Sequence, residues 1–345
     1  MVSRRRFMKW AAVSALGVWL PDSVRRPQVQ ETPPAEATPL LMGRAVDYAG
    51  VFERPSYTST KVAHLGADDL VPIYEVLEAE GGYNRTWYRI DAGYVYSANV
   101  VPMQPYTEPP RVEDVGAWGV WAEVVAPWSD SYAEPHADSK AMYRLYYSSV
   151  HHVVQAQEAA DGAWWYQISD PRYNELYWAQ AAHLRVIDPE ELAPLSPDVE
   201  AKRIEISLAP KHLIAFEDGE EVFRTLVTVG DTFFWEDGTV DYFETPDGAY
   251  RVMLKAPARH MGSRGTLGSF DYPGVPWCTF FHEGGLAIHG TYWHNDFGTQ
   301  RSHGCVNLRP EAALWVYRWT YPHAPYEAEA LPTGHIVEST PIYIY

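Results

Sequence analysis

Along most of the chain, hydrophobic positions alternate with polar ones in runs of four to eight residues, broken by glycine, asparagine and proline. This is the spacing of half-buried strands rather than of amphipathic helices. Val71-Pro72-Ile73-Tyr74-Glu75-Val76, Trp87-Tyr88-Arg89-Ile90 and Gly93-Tyr94-Val95-Tyr96 predict a small β-barrel over residues 41–104. The pattern recurs as Trp164-Trp165-Tyr166-Gln167-Ile168 followed by Leu176-Tyr177-Trp178-Ala179, which predicts a second such unit over residues 115–188. In the last third, Ile204, Ile206 and Leu208 alternate within Ala201 to Leu208. His212 to Phe216 then leads into a turn at Asp218-Gly219, and Val222 to Gly230 and Thr245 to Val252 continue a sheet scaffold over residues 200–345. Two stretches read as helical. Asp188 to Glu200, with prolines at 189, 194 and 197, marks a boundary, and Arg309 to Tyr317 carries proline in its first turn. The expected fold class is mostly β.

The amino-terminal residues break this pattern. Arg4, Arg5, Arg6 and Lys9 precede an apolar run from Trp10 to Leu20, about half the length a membrane-spanning helix requires. Basic residues, apolar run and polar break in that order read as an export signal over residues 1–26. Within it, Ser3-Arg4-Arg5-Arg6-Phe7-Met8-Lys9 resembles the twin-arginine signal, with methionine where leucine is commonest. The resemblance implies export of a folded protein to the cell envelope, with no stable membrane span unless the signal stays uncleaved. Residues 27–40, rich in proline, alanine and glutamate, have the composition of a linker.

Composition adds to the picture in three ways. A chain of 345 residues exceeds the usual single domain, so two or three folded units are expected. Its 14 tryptophans and 24 tyrosines suit strands. The formal net charge of −18 becomes more negative once the basic leader is set aside; such a surface repels phosphate backbones and anionic headgroups, which argues against nucleic acid and membrane surfaces as partners. There are only two cysteines, Cys278 and Cys305. In an oxidising compartment an even pair suggests a disulfide. Against that, Cys278 lies in Pro276-Trp277-Cys278-Thr279-Phe280-Phe281, which alternates as a buried strand would and makes it a packed thiol, while the surroundings of Cys305 call for a free thiolate.

Those surroundings are Ala287-Ile288-His289-Gly290-Thr291 and, after a polar, glycine-containing loop, Arg301-Ser302-His303-Gly304-Cys305-Val306-Asn307-Leu308. A cysteine with two histidines nearby offers a thiol nucleophile and a base to withdraw its proton. Glycine beside each candidate lets backbone and substrate approach closely, and amides around Gly304 and Cys305 can converge on a developing oxyanion. Acyl transfer is the natural reaction class. The sharper rival is a zinc site built from His289, His303 and Cys305, with His294 as a fourth ligand; no CxxC or HExxH spacing supports it.

The two segments together resemble the signature of the L,D-transpeptidase catalytic domain, His-Gly-Thr followed by Ser-His-Gly-Cys, a hydrophobic residue and Arg or Asn. The resemblance extends over residues 200–345: Gly230, Thr245-Pro246-Asp247-Gly248-Ala249-Tyr250 and the closing Ser339-Thr340-Pro341-Ile342-Tyr343-Ile344 fit the family's further elements, with tyrosine in place of phenylalanine at 250. It implies a β-sandwich in which Cys305 attacks, His289 takes and returns the proton, and the Gly290 carbonyl orients His289. His303 would shape the pocket, its amide with those of Gly304 and Cys305 would hold the oxyanion, and Ser302 and Asn307 would support the turn. Lys255 to Trp277 stands where the family carries a substrate-covering lid, with Met261 and Tyr272 as contacts. The implied substrates are peptidoglycan stem peptides, joined during cell-wall biogenesis through a cysteine thioester with release of D-alanine, without cofactor or metal. An L,D-carboxypeptidase on the same scaffold and a non-catalytic wall-binding protein stay open as alternatives. Residues 41–104 and 115–188 resemble bacterial Src-homology-3-type domains, which implies wall peptides as their ligands or a spacer role. His151, His152, His260 and His282 have no partner that the sequence identifies.

Overall fold

The structure, a computed structural model, describes residues 38–79, 84–234, 238–262, 270–332 and 338–345. The export-signal reading, nearly all of the linker and the centre of the lid segment fall outside these residues. What is described is mostly β, and one α-helix of ten residues, Pro310–Trp319, stands among the strands.

Residues 41–103 form a three-stranded and a five-stranded antiparallel sheet around Ala45, Val51, Ile73, Tyr88, Ile90 and Val95. Residues 120–186 form a seven-stranded antiparallel sheet around Val124, Leu145, Tyr166, Ile168 and Tyr177. The repeat seen in sequence corresponds to a repeated local structure. Thr86–Ile90 pairs with Gly93–Tyr96, and Trp164–Asp170 pairs with Glu175–Gln180. Each hairpin is followed by a single 3-10 turn, Ser97–Asn99 or Ala181–His183, and by a short strand. Trp87 and Trp165, at the start of the two hairpins, are both buried.

The third region is built on two five-stranded sheets. In the first, Lys202–Leu208 pairs with Lys211–Glu217, placing Ile204 opposite Ala215 and Ile206 opposite Leu213. All four side chains are buried, each worth up to about 1.5–3 kcal/mol over exposure for the larger ones. Asp218 and Gly219, at φ 49° and 92°, close the next hairpin in the left-handed pair that a two-residue turn needs. The carboxyl-terminal Pro341–Ile344 runs parallel to Lys202–Leu208 and antiparallel to Gly248–Arg251. The second sheet has the order Val306–Leu308, Ala287–Gly290, Asp271–Phe280, Leu254–Gly262, Leu331–Pro332. Ile288, Val306 and Leu308 from this sheet share one core with Ile204, Leu213 and the helix residues Ala313, Val316 and Tyr317.

The stretch Asp188 to Glu200, expected to be helical, is a single 3-10 turn, Pro189–Leu192, started by a capping box on Asp188 and Glu191. Pro194 and Pro197 lack the amide that a continuing helix would use, so it stops there. The β-rich regions are tied together by buried polar contacts within one compact unit, residues 38–345. Arg44 donates to the carbonyl of Tyr292, Asn295 donates to Tyr88 Oη, and the Trp121 indole donates to the carbonyl of Tyr326. Among the described residues no helix is long and apolar enough to cross a membrane.

Candidate active site

Ala287–Gly290 and Val306–Leu308 run parallel, with His289 opposite Asn307. A parallel pair obliges the chain to return the full strand length before pairing again, which accounts for the long loop from Thr291 to Cys305. That loop ends in Ser302-His303-Gly304-Cys305, and the crossover returns Cys305 to the start of the strand that pairs with the one carrying His289. Both line one cavity of about 930 Å³, together with Ser302, His303 and Asn307. Its opposite wall is the hairpin of Leu254–Gly262 and Asp271–Phe280, from which Met261 and Tyr272, paired across the strands, face the cavity. Tyr272 stacks on Trp293 with ring centroids 4.0 Å apart. Residues 171 and 172 of the second β region and 46 and 47 of the first complete the rim, so all three β-rich regions border the cavity.

His289 is 1% exposed, and its Nδ1–H donates to the carbonyl of Gly290 at 2.9 Å. That bond selects the tautomer whose Nε2 carries the lone pair. Burial holds the imidazole down at about 4 and pushes the Cys305 thiol up to about 11, against which the Ala287 amide works by hydrogen bonding to the sulfur. Both shifts favour the neutral forms, a thiol and an unprotonated imidazole. No hydrogen bond joins the two side chains among the described residues; catalytic contacts of this kind often close only when substrate is bound.

The nucleophile loop is held by a hydroxyl relay. Ser302 Oγ accepts from the Gly304 amide at 3.2 Å and donates to the Cys305 carbonyl at 2.5 Å. Thr245 Oγ1 accepts from the Gly230 amide at 2.8 Å and donates to the Gly304 carbonyl at 2.9 Å. Gly304 thus departs from the sequence expectation. Its amide is occupied by Ser302 rather than available to an oxyanion, and its φ of 102° makes it the residue that turns the loop. The amides of His303 and Cys305 have no partner among the described residues.

His303 stacks on Phe233 at 4.6 Å and lies against Phe243 and Phe270, and burial lowers its pKa. His294, the proposed fourth zinc ligand, has both ring nitrogens engaged: Nδ1 accepts from the Asp296 amide, and Nε2 lies 3.2 Å from the Asn307 carboxamide. Among the described residues no three His, Cys, Asp or Glu side chains are arranged to hold a metal ion. Both cysteines are free, and Cys278 is fully buried in its strand.

Several residues here escaped the sequence reading. Trp293, Phe233, Leu286 and Arg259 line the cavity but belong to no motif. His260 had no visible partner because its partners are distant: Nδ1 meets Asp170 of the second β region, and Nε2 meets Asp271 at 2.6 Å. His151 bonds Ser149, two positions away, and His152 lies 3.0 Å from the distant Glu329. The Thr245-Pro246 element was legible as a motif, whereas the reason for it, the relay to Gly304, was not.

Residues 201–344 match the YkuD family, the L,D-transpeptidase catalytic domain. No curated protein matches the chain. Solved structures that match the chain include L,D-transpeptidases. A cysteine-to-serine mutant of the Enterococcus faecium L,D-transpeptidase shares 21% identity over 43% of this chain and 51% of its own, with a TM-score of 0.31. Mycobacterium tuberculosis L,D-transpeptidase 3 in complex with a faropenem-derived adduct shares 15% over 53% of this chain and 90% of its own, with a TM-score of 0.31. The L,D-transpeptidase from Mycobacterium smegmatis shares 15% over 80% of this chain and 99% of its own, with a TM-score of 0.32. The chain spans about half the length of two of the structures it matches, the Enterococcus faecium mutant among them.

Proposed function

We propose that this protein is an exported L,D-transpeptidase that joins peptidoglycan stem peptides through an acyl-enzyme on Cys305. The observation that carries the reading is the fixed tautomer of His289: its Nδ1–H is committed to the Gly290 carbonyl, so a basic Nε2 shares the cavity with the only thiol that lines it. The family match over residues 201–344 supports the reaction class.

In the proposed cycle the Cys305 thiol gives its proton to His289 Nε2 as sulfur attacks the carbonyl of the third stem residue. The amides of His303 and Cys305 receive the oxyanion. Collapse breaks the C–N bond, the imidazolium returns the proton to the leaving amine, and D-alanine departs from the thioester. A side-chain amine of a second stem then attacks, losing its proton to His289, and the cysteine leaves and is reprotonated. Because the neutral forms are favoured, proton transfer accompanies attack rather than preceding it. Met261 and Tyr272 would cover the bound peptide. Residues 1–26 would act as a twin-arginine export signal, and the two amino-terminal β regions as Src-homology-3-type domains that hold wall peptides.

The test is incubation with a disaccharide-tetrapeptide, separating products by chromatography. Release of D-alanine with formation of a cross-linked dimer, both absent from Cys305→Ala and His289→Ala, is expected. D-alanine without dimer would assign the carboxypeptidase instead, and no turnover by wild type would leave the wall-binding reading.

A further inference from the structure

The cavity carries a charge that opposes that of the chain. Against a formal net charge of −18 for the whole sequence, its lining among the described residues contains three arginines, Arg172, Arg259 and Arg301, and one carboxylate, Asp47. The three come from separate elements. Arg172 lies in the second β region and donates to the Gly262 carbonyl at 2.9 Å. Arg301 lies on the strand that leads into the nucleophile loop, 3.8 Å from Asp296 and thus only loosely paired.

Arg259 is the most informative of the three. It is half-buried on the Leu254–Gly262 strand, opposite Val275, and its neighbours on that wall, Leu254 and Met261, also line the cavity. Its charge is felt by the Cys278 thiol behind the cavity wall. Among the described residues its side chain has no carboxylate partner and no hydrogen bond. A half-buried guanidinium carries five donors in a planar fork, and without a protein partner they stand open to an anion that enters the cavity. An acidic chain with a cationic cleft also focuses its field there and draws anions in.

We propose that Arg259, with Arg301 at the rim, is a specificity-determining residue that binds a carboxylate of the acyl-donor peptide, the free carboxylate of its terminal, departing residue. The inference rests on the acyl-transfer reading of Cys305 and deepens it by stating what the donor must carry. It makes the enzyme selective for peptides that end in a free acid next to the bond to be broken. The guanidinium anchors the leaving residue, so the scissile carbonyl is held over Cys305 while the amine departs. A planar bidentate contact suits arginine, and lysine at 259 would restore charge but only part of the geometry.

The experiment compares two donor peptides that differ only in their terminus, D-alanine as the free acid or as the carboxamide, with wild type, Arg259→Ala, Arg259→Lys and Arg301→Ala. Release of D-alanine or D-alaninamide is followed, and thermal melts confirm that each variant is folded. Wild type should prefer the acid in kcat/KM by about 10- to 100-fold, the range for a lost charged hydrogen bond. Arg259→Ala should lose the acid by a similar factor and leave the carboxamide nearly unchanged, Arg259→Lys should recover part of the preference, and Arg301→Ala should reduce it less. Equal use of acid and carboxamide by wild type overturns the inference while leaving acyl transfer intact, as does an equal fall for both substrates in a folded Arg259→Ala. Turnover of neither substrate by wild type takes down the acyl-transfer reading and this inference with it.

Discussion

Replacing Thr245 by valine removes one oxygen from a site that is 5% exposed and leaves the shape almost unchanged. That oxygen accepts from the Gly230 amide and donates to the Gly304 carbonyl, so valine orphans one buried donor and one buried acceptor at once. Each unsatisfied group costs about 1–3 kcal/mol, and the pair about 2–5 kcal/mol if the loop holds its position. There is little room to escape by shifting: a Cβ built on Gly230 would lie 1.9 Å from the Phe243 carbonyl oxygen, so the backbones are already in close contact. For a chain of this size the thermal midpoint should fall by about 3–8 °C. The rate at which Cys305 is acylated by a tetrapeptide donor, on the proposed reading, should fall at least about tenfold, because the carbonyl released belongs to the residue before the nucleophile. Thr245→Ser, which keeps the hydroxyl, should recover most of both. A Thr245→Val protein that melts within about 1 °C of wild type and is acylated at the wild-type rate would refute the relay as the support of the nucleophile loop.

Other outcomes follow from the same geometry. The His289 imidazole, held near 4 by burial, stays a neutral base to low pH, so kcat/KM should be flat from about pH 5 to 8 and fall below it; a midpoint near the ordinary histidine value would contradict this. The same depression makes the fold acid-sensitive. Between pH 6.5 and 4 the unfolded chain takes up a proton that folded His289 refuses, so stability present above 6.5 is lost by about 3 kcal/mol on acidification, measurable as a urea midpoint that drops less in His289→Gln. Gly304→Ala puts a Cβ 2.9 Å from Leu286 at a φ of 102°, and acylation by the tetrapeptide donor should slow by about tenfold or more while the remaining fold persists by circular dichroism. His260→Leu removes the imidazole between Asp170 and Asp271, and the melting temperature should fall by several degrees, checked by calorimetry.

The strands of the last third were legible because each buries one face: Ile204 and Ile206 alternate with Arg203 and Glu205, and a period of two is hard to mistake. The helix Pro310–Trp319 was legible from its proline start. The 188–200 segment misled because capping residues at Asp188 and Glu191 start a turn that later prolines stop, and a start signal does not measure length. His289 and Cys305, which their motifs singled out, line one cavity. The rest of the site comes from contacts across distant segments. Arg259 and Trp293 sit in no motif, and the partners of His260 are separated from it by 90 and 11 positions. Which alternating residue faces a cavity rather than a core depends on the sheet opposite it, and a single strand's pattern does not contain that information.

The central claim is that Cys305 carries the acyl group. Rapid quenching of the protein with a tetrapeptide donor, followed by intact-mass measurement and peptide mapping, tests it most directly. The account predicts a mass increment equal to the donor less D-alanine, on the peptide containing Cys305, labile to hydroxylamine and absent from Cys305→Ala. D-alanine released with no covalent intermediate at Cys305, or an adduct that persists in Cys305→Ala, would contradict it.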